Sequence, residues 1–192
     1  MLQKITLGPR PLVYPMPSFL VGANVEGCPN FMAVAWGGIA CSRPPMVSIA
    51  LQHRRYTYKG IKQKGTFSVN IPSQEQVIET DYCGIVSGAK ADKNKVCGFE
   101  VFYGKLETAP MIEQCPMNLE CKVVHILGLG SHVLIIGEII ETYVNQDCLT
   151  EGEPDAAKIK PFIYTEGPLA QYYSLGEVLA PAFKIGRKLK TT

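Results

Sequence analysis

A mainly β fold with a few short helices is predicted for this 192-residue chain by three observations. First, 18 glycines and 14 prolines interrupt it every few residues, which favours many short strands over long helices. Second, the apolar runs between these breaks are of strand length and rich in Val, Ile and Phe. Third, residues 118 to 144 read as two alternating apolar stretches around a glycine turn, the pattern of a long hairpin. Hydrophobic residues make up 46% of the chain and charged ones 19%, enough for one substantial core. With no internal repeat and no linker, residues 1–192 are read as a single domain.

Taken in order, a proline-broken entry leads to a strand over 19–23, which turns at Glu26-Gly27. Its hairpin partner is expected over 31–39. Pro44 and Pro45 lack an N–H and should bar ladder pairing, separating that strand from the next at 46–51. Residues 56–64 fit a short helix with Thr57 as N-cap, and 66–71 resume as a strand ended by Pro72. Residues 74–87 read as a helix, followed by a polar link carrying Lys90, Asp92, Lys93 and Lys95. After the long hairpin, 151–161 is a charged loop or short helix and 162–164 a short strand. The basic tail over 182–192 is expected to be mobile.

Charge and cysteine usage narrow the function. The net charge of +2 is small, and its basic residues gather at 53–64 and 184–190, so no general affinity for nucleic acid is expected. No signal peptide and no run of about 18 apolar residues is present, which points to a cytoplasmic protein without a membrane span. The seven cysteines form no C-x-x-C pair, so a zinc ribbon or thioredoxin motif is unsupported and reduced core thiols are expected. Cys41 is read either as one of these or as a redox-active thiol beside a ligand.

Two segments point to a ligand. Around Trp36, the only tryptophan, Ala33, Val34, Ala35, Gly37 and Gly38 leave backbone groups open to the edge of a flat heterocycle. Trp36 itself serves either as core anchor or as ligand platform. One strand later, His53-Arg54-Arg55-Tyr56-Thr57 stands at a strand-to-helix junction, where amides and cations suit a phosphate. The same dibasic pair is otherwise a solvated strand end. His132, at the hairpin turn, is either a surface turn residue or a functional imidazole. Together they suggest an aromatic ligand with an anionic tail.

These motifs carry a family resemblance. Asn30-Phe-Met followed by Trp36, then Ser-Arg-Pro-Pro-Met-Val-Ser-Ile, the Tyr56-Thr57 helix start and Gly-Thr-Phe-Ser-Val-Asn-Ile-Pro resemble the flavin reductase-like FMN-binding split-barrel family, most closely its flavoredoxin-type members. Asp92-Lys93 and the Gly-Ser-His132 hairpin with a downstream Gly-Glu continue the resemblance, which covers roughly residues 10 to 165. It implies a Greek-key split β-barrel that dimerises, with one FMN per subunit near the interface. Asn30 and Trp36 would lie beside the flavin, with the backbone of Ala33, Val34, Ala35 and Trp36 at the ring edge. Thr57 would meet the phosphate, Lys93 would be the loop lysine, and His132 would approach the cofactor from its own or the partner subunit; Arg54, Arg55 and Tyr56 join them on physical grounds. Where relatives carry Met-Thr-x-Ser-Trp, this chain has alanine at 33 and 35, so backbone groups replace two hydroxyls. An FMN-dependent oxidoreductase follows, reduced by NAD(P)H and passing electrons to flavin, ferric chelate or a redox protein partner. The alternative is an FMN-binding electron carrier or sensor with no NAD(P)H activity.

Overall fold

The structure, a computed structural model, describes residues 3–189. Strands β1 (Met16–Pro17), β2 (Phe19–Val25), β3 (Cys28–Val34), β4 (Gly37–Ser42) and β5 (Pro45–Gln52) precede α1 (Tyr56–Lys64). Next come β6 (Thr66–Ile71), α2 (Val77–Ile85), α3 (Lys93–Cys97), β7 (Val101–Phe102) and β8 (Met111–Ile112). The long hairpin is β9 (Met117–Leu129) and β10 (His132–Val144), followed by β11 (Leu149–Thr150), β12 (Glu153–Pro154) and α4 (Ala156–Ile159). Strands β13 (Phe162–Thr165) and β14 (Gln171–Ser174) complete the order.

Seven strands form one antiparallel sheet in the order β3-β2-β6-β9-β10-β5-β4. The edge strands β3 and β4 are consecutive in the chain, and at the seam between them the Ala50 N–H donates to the Trp36 carbonyl at 2.8 Å, carrying the β4–β5 ladder one residue past Gly37. Alternation fills the interior: Val47, Ile49 and Leu51 of β5 point inward beside Val21, Phe67, Val69 and Ile135. A second cluster, with Leu20, Phe31, Cys83 and Cys115, packs α2 and α3 against the outside of the sheet. Around it a smaller sheet, β1-β13-β14, lies next to the seam.

Buried polar groups lock the pairing. Asn70 on β6 donates to Leu20 O at 2.7 Å and to Ser68 Oγ at 3.0 Å, while its Oδ1 accepts from Ile112 N at 3.0 Å and Asn118 Nδ2 at 2.8 Å. The fully buried Glu120 accepts from the amides of Lys105 at 2.9 Å and Leu106 at 2.6 Å. Desolvation is thereby offset at both side chains.

The structure corrects several expectations. The single strand expected over 31–39 is two strands, because the chain changes partner at Trp36: Val34 still pairs with Phe19 on β2, and Gly37 already pairs with Ile49 on β5. A side chain at Gly37 would meet Ser48 O at 2.8 Å and the Phe19 ring at 3.1 Å, so this corner needs glycine. Pro44 lies in the turn as expected, but Pro45 opens β5 opposite Ser42, a first strand position that tolerates proline. Thr57 is not the N-cap of α1; Arg55 is, and Thr57 lies buried within the first turn. The link around Lys93 is helical, because the Asp92 carboxylate caps α3 by accepting from the amides of Asn94 and Lys95. The helix expected over 74–87 starts with a 3-10 turn at Gln74–Gln76 and ends at Ile85.

The remaining expectations fall at the chain's end and in its helices. Of the basic tail, Ile185–Leu189 forms an exposed 3-10 turn, and residues 190–192 lie outside the described residues. Among the described residues no helix is long and apolar enough to cross a membrane.

Candidate functional site

One cleft runs along the outside of β3 and the seam, beneath α2 and β13. Its cationic end, a cavity of about 380 Å³, is built at the N-terminus of α1 from Arg54, Arg55, Tyr56 and Thr57 and closed by Gly88, Lys90 and Lys93. Here the free amides of the helix start add their positive dipole to the side-chain charges. Arg55 continues into the middle of the cleft, whose floor is the small-residue run Ala33, Val34 and Ala35. Trp36 and His132 bound the middle section, and a further chamber of about 350 Å³ opens between the same floor, α2 and Tyr164.

Each cation is held differently. Lys93 is 3% exposed and its Nζ donates to Cys83 O at 3.3 Å and Val86 O at 3.2 Å, the carbonyls at the end of α2. Burial pushes its pKa down, an effect that the neighbouring Cys83 and Cys97 oppose and Arg55 reinforces. Two of its three ammonium protons are engaged, leaving one in a side chain that lines the cleft. Arg54 donates to Gln52 Oε1 at 2.9 Å, and Arg55 reaches Gly84 O at 3.4 Å. The Tyr56 hydroxyl donates outward to Glu26 at 3.1 Å, so only its ring belongs to the cleft wall.

Asn30 stands behind this wall. Its Nδ2 donates to Thr57 Oγ1 at 2.7 Å, fixing that hydroxyl, and its Oδ1 sits where a side chain on Gly88 would collide with it at 1.9 Å. Gly88 therefore lets the loop after α2 close over Asn30.

At the other end Trp36 is clamped. The His132 ring stacks on it with centroids 4.6 Å apart and planes at 24°, and Trp36 Nε1 donates to Glu166 Oε2 at 3.0 Å. This His132 belongs to the same chain as the Trp36 it covers. The backbone of Glu166 accepts from the Tyr14 hydroxyl, tying the segment after β13 over the cleft.

Of the residues expected from sequence, Ala33, Val34, Ala35, Trp36, Arg54, Arg55, Tyr56, Thr57, Lys93 and His132 all line this cleft, and Asn30 supports it. Sequence reasoning missed Glu166, Tyr164, Ser18 and Thr80; none sits in a recognisable motif, and Glu166 is 130 positions from its partner Trp36. Gly88 and Lys90, at the end of the loop that closes the cationic cavity, had the nearby Lys93 as a signal. Cys41 is on β4 with its thiol donating to Arg43 O at 3.4 Å, outside the cleft lining. All seven cysteines are free, and burial pushes the Cys83 and Cys115 thiols up to about 12, as expected of inert core residues. Among the described residues no cluster of His, Cys, Asp and Glu suits a metal ion.

The sequence and the fold have known counterparts. Residues 12–171 match the flavin reductase like domain, and the chain belongs to that family. It is similar to the crystal structure of flavoredoxin from Methanosarcina acetivorans, at 42% identity over 98% of this chain and 100% of that one, with a TM-score of 0.94. Flavoredoxin of Desulfovibrio vulgaris (Miyazaki F) is 41% identical over 96% of this chain and 100% of its own, with a TM-score of 0.89. A ferric-chelate reductase (NAD(P)H) of Archaeoglobus fulgidus is 26% identical over 107 residues, 55% of this chain and 62% of that protein. The split-barrel expectation is met: the fold is the mainly β flavin reductase-like split barrel.

Proposed function

We propose that the cleft binds FMN and that the protein is an FMN-dependent oxidoreductase, reduced by NAD(P)H and delivering electrons to flavin, ferric chelate or a redox protein. One observation carries this reading: a cationic cavity at a helix N-terminus runs directly into a floor of small residues, with Arg55 lining both. The donor set fits the cofactor. Arg54, Arg55, Lys90, Lys93 and the amides of α1 suit a phosphate dianion, and Ala33, Val34 and Ala35 admit a planar ring against the backbone.

Bound FMN supplies the electron storage that no side chain of this chain offers. The protein's residues do the rest. Asn30 presents the Thr57 hydroxyl, Lys93 keeps a donor toward the phosphate end, and Arg55 spans the tail and the ring. Glu166 and His132 hold the Trp36 plane, and the segment after β13 limits water at the ring end. A fixed cation beside the floor favours negative charge gained on reduction.

A second reading, an FMN-binding electron carrier without its own NAD(P)H activity, is favoured by the 41 to 42% identity to flavoredoxins over nearly the whole chain. Mixing the FMN-loaded protein with NADH or NADPH under nitrogen separates the two. Prompt bleaching of the flavin supports the reductase, and bleaching only by a reduced protein partner supports the carrier. For either reading we propose a homodimer with the cleft near the interface. Exposed Leu127 and Leu129 at the tip of the β9–β10 hairpin and exposed Val178, Leu179 and Phe183 on the C-terminal segment supply the apolar surface it needs. Sedimentation showing a monomer with full FMN affinity contradicts the dimer.

A further inference from the structure

The floor of the cleft offers a ring no polar side chain, since Ala33, Val34 and Ala35 carry none. Two hydroxyls nevertheless face the chamber above it. Ser18, in the single residue between β1 and β2, is 7% exposed; Thr80, in the middle of α2, is 1% exposed; both line the chamber. Neither Ser18 Oγ nor Thr80 Oγ1 has a hydrogen-bond partner. The other unpartnered buried side-chain oxygens among the described residues, Glu79 Oε2 and Asn94 Oδ1, lie outside the cleft lining.

Buried hydroxyls are almost always paired within the protein, and an exception calls for an explanation. Helical threonines commonly return their hydroxyl to the carbonyl four residues back, but Thr80 makes no such bond. Two exceptions from different elements, on one chamber and beside one small-residue floor, share an explanation if a ligand completes both. The chamber's other polar side chains are accounted for separately: Asp81 accepts from the Tyr172 hydroxyl at 2.9 Å, Arg55 reaches Gly84 O at 3.4 Å and continues to the cationic end, and Tyr164 lines the far wall.

We propose that Ser18 and Thr80 are ring-positioning residues, which hydrogen-bond a polar edge of the bound isoalloxazine and thereby set its orientation on the floor. This rests on the reading of the cleft as an FMN site. A hydroxyl both donates and accepts, so the pair suits a heterocycle that alternates carbonyl and imino groups along one edge. It selects against a ring whose edge is only hydrocarbon.

The test exploits opposite signs. In the flavin-free protein each hydroxyl is an unpaired buried group, so Ser18→Ala and Thr80→Val leave the melting temperature unchanged or raise it. In the loaded protein the same changes each weaken FMN binding by about twofold to twelvefold, as expected for one lost hydrogen bond. They also shift the flavin midpoint potential, because the bond is to the ring. Thr80→Ser, which keeps the hydroxyl, restores affinity and potential. Three results overturn the assignment: a lowered melting temperature of the flavin-free variants with unchanged FMN affinity, which marks the hydroxyls as structural; unchanged affinity and potential; or weaker binding with an unchanged potential, which places the bonds on the tail. Absence of FMN binding by the unaltered protein overturns the FMN reading itself, and this inference with it.

Discussion

The imidazole of His132 lies on the indole of Trp36, centroids 4.6 Å apart and planes at 24°, although 96 positions of chain, including the whole first arm of the long hairpin, separate the start of one strand from the corner of another. Because Trp36 is the only tryptophan, its emission reports on this clamp without interference from any other indole. His132→Ala removes the stacked partner, and Glu166→Ala frees the indole N–H now held at 3.0 Å. Each change should cost about 1 kcal/mol at the clamp, a roughly fivefold loss of FMN affinity. Both variants should also shift Trp36 emission to the red, read by steady-state fluorescence.

Lys93 gives the site a pH dependence. Burial holds its pKa below the ordinary lysine value of 10.5, so on raising the pH it loses its charge before a solvent-exposed lysine does. The protonated form attracts a phosphate dianion, so FMN affinity should fall on the alkaline side, beginning below the range where exposed lysines titrate. Lys93→Met should bind FMN about tenfold more weakly near neutrality and lose that alkaline decline, measured by flavin fluorescence titration across pH.

Gly88 sets how closely the loop after α2 approaches Asn30. Adding a methyl group places it 1.9 Å from Asn30 Oδ1, which must move and carry its amide away from Thr57. Gly88→Ala should therefore lower stability by about 1 to 3 kcal/mol and weaken FMN more than it weakens a flavin lacking the phosphate. Parallel titrations with FMN and riboflavin check this.

The fold was legible where local chemistry decides it. The glycine at 27 and the Gly-Ser turn before His132 marked the hairpins, and strand 66–71 ended at Pro72 as its proline required. What was illegible depends on distant partners. Nothing in the run from 31 to 39 says that Ala35 and Trp36 leave the ladder, because the reason is the approach of Ser48 and Phe19 to Gly37. The cleft's cationic end and floor were readable because their residues are clustered in sequence. Glu166, Ser18 and Thr80 were not, since each reaches the cleft from an element with no motif of its own.

Asn70 predicts where the fold is most sensitive. Its side chain makes four buried bonds that tie β6 to β2, β8 and β9. Asn70→Ala strands the Ile112 amide and the Asn118 side chain without this acceptor, and should destabilise by about 3 kcal/mol or more. Urea denaturation should show a lower midpoint with an unchanged slope.

The central claim is that this cleft holds FMN. Mixing the protein with excess FMN, passing it through a desalting column and recording the visible spectrum together with Trp36 emission tests it most directly. The account predicts one flavin per chain eluting with the protein, with Trp36 emission quenched. Protein that elutes without flavin absorbance, with Trp36 emission unchanged by added FMN, contradicts it.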